Sequence, residues 1–559
     1  MKLSKIPYKR VTLEEATKNL NKFIENFKKA KNAKQQISIY NKCNEYSSKI
    51  GTMFSLANIR YTQDTTDEFY IKEKDYLNEN GPYITQLIQQ FADMVLESKF
   101  INELKNLMPE IIFTKLEYFK KTFNDKILKD MQVESKLSME YSQYTATALI
   151  EFNGEKLTLS QMGKYRQSAD RKIRLAAYTA QGKWLKESKE KLDTIFDQLV
   201  KVRTSMAKKL GFKNYVELAH YKMGRIGYTR EDLHVFREQV KRDLVPLIAE
   251  LKKKQANDLC IDKITLIDDS TVFKNGNPAP IGTPEEIFAN GKKMYHALSP
   301  DTGKFIDFML KHELFDVLAR ENKANGGYCS SLESYKMPFI FANFNGTSGD
   351  IDVLTHEAGH ALATYKAFSI PWHDLRNYSM ETAEVHSMSM EFFAEKWMDL
   401  FFGDRSDDYK YMHLLNSLSF IPYGTVVDNF QEIIYTQPNM SPDERHATFV
   451  RLMDEFCPQL SCKDIDGYDY GARWQLQLHI FEYPFYYIDY CLAQTVALEF
   501  YTIMSKDFDE AWQKYIKFLS SAGKKSFPDV VAFSGMSSPF ERGVLKRIAT
   551  QVQQELKKK

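Results

Sequence analysis

Two of the chain's 11 histidines stand four residues apart with a glutamate beside the first, in Thr355-His356-Glu357-Ala358-Gly359-His360. The stretch from Ser348 to Lys366 reads as a helix. Ser348 or Asp350 can serve as N-cap, Asp350 and Asp352 suit the positive end of the helix dipole, and no proline follows until Pro371. On a helix, positions i and i+4 lie one above the other, so His356 and His360 present two imidazoles to a single point. Glu357 sits about 100° round the axis, beside that point. Two neutral imidazoles and a nearby carboxylate supply what a catalytic zinc site needs: two ligands, and a base for the zinc-bound water. Gly359 inside the helix costs roughly 1 kcal/mol relative to alanine. With Ala358 and Ala361 it leaves a small surface, and a closely approaching neighbour would justify that cost.

Other elements must complete such a site. After Pro371 and a turn at Trp372-His-Asp374, Tyr378 to Glu395 reads as a second helix, with Glu381, Glu384 and Glu391 on roughly one face. Met388, Met390, Phe392 and Phe393 wrap most of the rest, so these acids are expected to be partly buried. Further on, His479-Ile-Phe-Glu-Tyr-Pro-Phe-Tyr-Tyr-Ile-Asp-Tyr490 gathers Tyr483, Tyr486, Tyr487 and Tyr490. Tyrosine hydroxyls buried together need partners. They are either the rim of an aromatic core or donors lining a peptide site. Upstream, Gly326 to Ser330 and Pro338 to Asn345 read as a small β region running straight into the His356 helix. A strand there either offers an edge to an extended peptide or simply covers the helix.

The remaining chain is read as scaffold. Residues 1 to about 190 are expected to be almost wholly helical, with capping-box patterns at Thr12-Leu-Glu-Glu15 and Thr65-Thr-Asp-Glu68. Asn153-Gly154 between short apolar runs predicts a hairpin. Helices continue from about 200 to 320, with Thr283-Pro-Glu-Glu286 and Ser299-Pro-Asp301 as start signals. Asp262 to Asp268 reads as a short strand, followed by a turn at Asn275-Gly276. No repeat or low-complexity linker marks a boundary, and the division adopted is an N-terminal helical region, 1–190, and a catalytic region, 191–559.

Lys and Arg number 76 against 74 Asp and Glu, a net charge of +2, which argues against nucleic acid or an anionic membrane as the main partner. The first residues lack an apolar core of signal-peptide length. The most apolar later stretch, Phe485 to Met504, carries Asp489, Gln494 and Glu499 and so reads as a buried helix. The 6 cysteines are scattered, with no Cys-x-x-Cys pair, although Cys457 and Cys462 are close enough in sequence to approach. A cytoplasmic location with reduced thiols is the expectation.

Gly346 to Ala361, Glu384-Val-His-Ser-Met-Ser-Met-Glu391 and Pro484-Phe-Tyr-Tyr-Ile-Asp-Tyr490 resemble the thimet oligopeptidase and oligoendopeptidase F family of zinc metallopeptidases, in its bacterial Pz-peptidase-like branch. The motifs lie in the C-terminal half; the N-terminal half matches in helical character. The resemblance implies a mostly α-helical, elongated multi-helix body with a deep substrate channel and small β elements near the zinc site. It also selects Glu384 over Glu381 as the third zinc ligand, with His356 and His360, for one Zn2+ per chain. His479, Tyr486 and Tyr490 resemble the family's oxyanion donors, with Tyr483 a weaker candidate. The thimet-type branch has proline at the place of His386 and a glycine-rich tyrosine loop, which bears on the assignment of individual tyrosines.

The expected activity is cleavage of internal bonds of short oligopeptides, with Glu357 as general base toward the zinc-bound water. An exopeptidase, either a carboxypeptidase or a dipeptidyl carboxypeptidase, would need a cation for the substrate's terminal carboxylate. Arg376, Lys336 and Arg473 are available for that. A non-catalytic zinc-containing peptide-binding scaffold would have no use for Glu357. Oligomeric state and cleavage preference are not encoded in these patterns.

Overall fold

The protein is described here from a computed structural model covering residues 1–558 apart from Glu321, Asn325, Asn345, Ser461, Lys463 and Asp464, with Ala522 described in its backbone alone. Asn345, at the end of the expected second strand, thus lies outside the described residues. The chain begins with antiparallel helices α1 (Leu13–Lys29), α2 (Ala33–Gln63) and α3 (Glu68–Leu96), then α4 (Leu128–Ala146). In α1, Ala16, Leu20 and Phe27 recur at helical spacing and are buried. The Thr12 side chain accepts from Glu15 N–H and starts that helix. At α3 the expected Thr65 capping box is displaced: Asp67 accepts from the N–H groups of Phe69 and Tyr70, so the helix starts at Glu68. A carboxylate directly before the first turn is the stronger acceptor, and it wins.

β1 (Leu149–Phe152) and β2 (Glu155–Thr158) form the expected hairpin. Asn153 at φ +53° and Gly154 at φ +80° supply the two left-handed residues its turn requires. α5 (Arg171–Lys209) follows and runs unbroken through residues 190 and 191. The strand expected at 262–268 is absent. Asp268 turns back to accept from Thr265, at its N–H (3.3 Å) and its hydroxyl (2.9 Å), and is tied by Arg171 and Arg174. This side-chain capture bends the run into turns, while Ile264, Leu266 and Ile267 still reach the core.

The second β region has three strands in the order β3 (Phe315–Leu318), β5 (Met337–Phe344), β4 (Tyr328–Leu332). β5 is the apolar, almost wholly buried centre, parallel to β3 and antiparallel to β4. Of the two alternatives the sequence leaves open for this strand, an edge for an extended peptide is not available on β5, since both its sides are paired. The open edges belong to β3 and β4.

β5 leads into α6 (Gly349–Ala367), which packs on α7 (Met380–Ala394). α8 (Ser406–Thr436), α9 (Tyr487–Met504), α10 (Phe508–Ser521) and α11 (Val544–Lys558) complete the surroundings of the site. α9 packs against both α7 and α8, which puts the expected buried helix at the centre of the molecule. One hydrophobic cluster runs from Leu3 to Leu556; a second holds the N-terminal helices and takes in Ala367, Ile370 and Leu375 just after the His356 helix. The accessible surface is 24277 Å2, against roughly 20,600 Å2 expected of a compact chain of this mass. The excess fits an elongated, mostly α body. Among the described residues no helix is long and apolar enough to cross a membrane.

Candidate active site

Gly359 explains how the site is assembled. A Cβ there would lie 2.5 Å from the His386 carbonyl oxygen and 2.7 Å from Ser387 Cα, so α6 and α7 touch backbone to backbone at this point. That contact brings Glu384, on α7, to the imidazoles of α6. Glu384 Oε2 lies 3.2 Å from His356 Nε2 and 3.5 Å from His360 Nε2, and the three potential ligand atoms are all within 4.8 Å of one another. Ser387 Oγ donates to Glu384 Oε2 at 2.9 Å, and the Tyr486 hydroxyl donates to Oε1. Burial alone would raise the Glu384 pKa, but His360 and His356 outweigh it and hold the carboxyl well below its usual range. Glu381, one turn earlier, faces away. It is fully buried, and both its oxygens lack a hydrogen-bond partner.

Behind the imidazoles stands a chain of charges that sequence reasoning saw only in part. His356 Nδ1 meets Glu391 Oε1 at 2.6 Å; the other Glu391 oxygen meets His413 Nε2 at 2.8 Å; His413 Nδ1 meets Glu395 Oε1 at 3.0 Å. A carboxylate on Nδ1 fixes the His356 ring and leaves Nε2 its lone pair for a metal. Burial alone would lower the His413 pKa, but hydrogen bonds to Glu391 and Glu395 push it up to about 10. His413 is then a cation between two carboxylates. Glu391 was noticed only as part of an acidic stripe, and His413, on α8, carried no spacing signal at all.

Glu357 lies beside this group. Its Oε2 is buried without a hydrogen-bond partner, and burial raises its pKa against the pull of His356 and His360. Gly327, just before β4, is a near neighbour: a Cβ on it would lie 3.8 Å from Glu357 Oε1, in ordinary contact. A desolvated carboxylate with an unpartnered oxygen beside the two imidazoles has the properties of a general base. The donor set itself fits zinc: two imidazole nitrogens and one carboxylate oxygen converge, and a fourth position is left for substrate or water.

The tyrosine stretch closes the other side. The His479 ring lies 5.8 Å from that of Tyr486 and 5.6 Å from that of Tyr490; Tyr486 and Tyr490 are 4.8 Å apart. The Tyr490 hydroxyl lies 3.4 Å from His479 Nε2, and Gln477 Nε2 lies 3.0 Å from His479 Nδ1. Burial pushes His479 down to about 4, which leaves it neutral at pH 7. Burial and the Glu384 carboxylate push both tyrosine hydroxyls up, so they stay protonated donors. Tyr483 is 57% exposed, with its ring 6.4 Å from His479, at the margin of the group. His386 is packed edge-on between Tyr378 and Phe518 and held neutral by burial, away from the ligand atoms. Of the three cations considered for a terminal carboxylate, Arg376 is engaged by Glu333 (3.0 Å) and the Ile370 carbonyl (2.8 Å). Arg473 lies 4.2 Å over the Tyr423 ring, and Lys336 is an exposed left-handed residue between β4 and β5.

A mostly helical body with a histidine pair, a glutamate on a crossing helix and a second glutamate beside them defines a hydrolase of the His-Glu-x-x-His class. Residues 3–123 match the model of the peptidase M3 N-terminal domain, and residues 301–550 that of peptidase family M3. The solved structure of Pz peptidase A with an inhibitor superposes with a TM-score of 0.97 at 39% identity, covering 100% of this chain and 99% of that one. Oligopeptidase PepF of Bacillus subtilis (strain 168) is 21% identical over 522 residues, 88% of this chain and 76% of that protein. An oligoendopeptidase F homolog of Borreliella burgdorferi is 23% identical over 487 residues, 79% of each. The chain belongs to peptidase family M3, and it is a peptidase.

Proposed function

We propose that this protein is a zinc-dependent oligoendopeptidase acting on short peptides. The observation that carries the proposal is the convergence of His356, His360 and Glu384 within 4.8 Å, with the unpartnered Glu357 carboxyl beside them. His356, His360 and Glu384 would hold zinc, which supplies Lewis acidity and lowers the pKa of water in the open position. Glu357 takes the proton of the attacking water and passes it to the leaving amine nitrogen. Tyr490 and neutral His479 donate toward the oxygen of the substrate carbonyl as negative charge develops there, while Tyr486 gives its single O–H to Glu384 and reaches that oxygen only by turning off the carboxylate. Glu391 and cationic His413 keep His356 in one ring orientation throughout.

Internal rather than terminal cleavage is favoured because two of the three cations are engaged, Arg376 by Glu333 and Arg473 on the Tyr423 ring, which leaves only the exposed Lys336 for a terminal carboxylate. The test is turnover of one fluorogenic peptide offered with blocked and with free ends, before and after chelation and zinc addition. Chelation should abolish cleavage and zinc restore it, with both peptides cut at the same internal bond. Cleavage of the free-ended peptide alone would transfer the assignment to an exopeptidase, and chelator-resistant cleavage would remove zinc from the reading.

A further inference from the structure

Phe485, immediately before Tyr486, has a φ of +69°. An aromatic L-residue in the left-handed region is strained and persists only when its surroundings force it. Here they do so from every side. Its N–H donates to Gln431 Oε1 at 3.0 Å, and its carbonyl accepts from Arg225 Nη2 at 2.5 Å. The same Arg225 nitrogen donates to Asp489 Oδ1 at 3.0 Å, in the first turn of α9. Gln431 is itself oriented, since its Nε2 donates to the Val427 carbonyl at 3.1 Å and its oxygen must face Phe485. The Phe485 ring is 2% exposed, against Tyr435 and Tyr215. Arg225, Gln431 and Asp489 are all nearly or wholly buried.

No substrate can reach these side chains, and nothing in the proposed chemistry uses them. Their effect is on direction. The left-handed residue sharply reverses the chain as it leaves Pro484. The next side chain, Tyr486, then points into the site and puts its hydroxyl on Glu384, 102 residues away in sequence. A relaxed φ at 485 would swing the Tyr486 ring off that carboxylate. We infer that Arg225 and Gln431 are positioning residues: they hold the backbone carbonyl and N–H of Phe485, one on each side of its Cα, and thereby fix the Tyr486 hydroxyl on the ligand carboxylate of Glu384. The inference rests on the reading of Glu384 as a zinc ligand.

The experiment measures zinc affinity of the full chain by competition with a chromophoric chelator, and kcat and KM of the zinc-loaded enzyme alongside. Gln431→Met keeps the volume and removes the acceptor. It should weaken zinc binding about 10- to 100-fold, as loss of an outer contact to a ligand does. Tyr486→Phe should weaken it similarly, and the double variant should be no weaker than the weaker single one. Gln431→Glu, which when protonated can reproduce both contacts, should restore wild-type affinity. If Gln431→Met does not fold, Arg225→Lys takes its place: it keeps the buried charge, but its ammonium ends one bond short of where Arg225 Nη2 meets Phe485 and Asp489, and it should shift affinity in the same direction. Wild-type affinity in the variant that folds, or losses that multiply in the double variant, would overturn the inference. Failure of the functional reading looks different: Tyr486→Phe with weakened zinc binding but unchanged kcat when loaded would remove the tyrosine from turnover and leave its positioning intact. Loss of Glu384 without loss of zinc would remove the ligand assignment on which both depend.

Discussion

At the scale of single residues, the site is defined by which carboxylates have partners and which do not. Glu384 and Glu391 are saturated by imidazoles and hydroxyls; Glu357 has a buried oxygen with none. Glu357→Gln should therefore keep its zinc yet lose about 10^2- to 10^4-fold in kcat, the usual worth of a positioned general base. Paired metal analysis and steady-state kinetics check this, and near-normal turnover would remove Glu357 from the chemistry. His413 sets a pH dependence of stability. Its folded pKa, about 10, lies above the ordinary value near 6.5. The folded chain thus holds a proton that the unfolded chain has lost between these values. The contribution is complete below about pH 6.5 and disappears as pH rises through 10. Denaturation of wild type and His413→Gln at pH 7 and pH 9.5 should show the variant less stable at pH 7, with the gap narrowing at pH 9.5. A gap that widens would mean His413 is neutral in the fold.

At the scale of elements, the α6–α7 crossing decides ligand spacing. Gly359→Ala would gain roughly 1 kcal/mol of helix propensity but must push apart two backbones that already touch, at a cost of about 1–3 kcal/mol. The expected outcome is a modest fall in melting temperature with a larger loss of zinc retention, because Glu384 moves with α7. Full retention with normal stability would mean that the two helices accommodate the methyl group without separating. Much of this element was legible: the histidine spacing, the helix and the suspicion that Gly359 marks close approach all come from residues 348–366. No strand forms at 262–268 because Asp268 captures Thr265, a contact no alternation pattern reports. Whether β5 offers a peptide-pairing edge or covers the helix stays open in the sequence, because a single apolar run does not reveal how many neighbours a strand has.

At the scale of the whole molecule, what stayed hidden were contacts between separate elements: His413 with Glu391, 22 residues away on another helix, and Arg225 with Phe485, 260 residues away. No spacing rule reaches across such distances, whereas the family motifs pointed to Glu384 and the tyrosines without explaining what holds them. The elongated helical body predicts size selection. A peptide should be cut when free in solution and spared when the same sequence is embedded in a folded domain, as mass spectrometry of the two digests would show; ready cleavage of the folded form would mean an open site. The backbone contact at Gly359 has one more consequence. Since the helices carrying the ligands already touch where they cross, and Glu391 already orients His356, zinc uptake should resemble filling a finished socket more than folding a loop. Calorimetric titration of the metal-free protein should accordingly show a heat-capacity change close to zero, with unchanged circular dichroism. A large negative value would mean that the metal orders this part of the chain as it arrives.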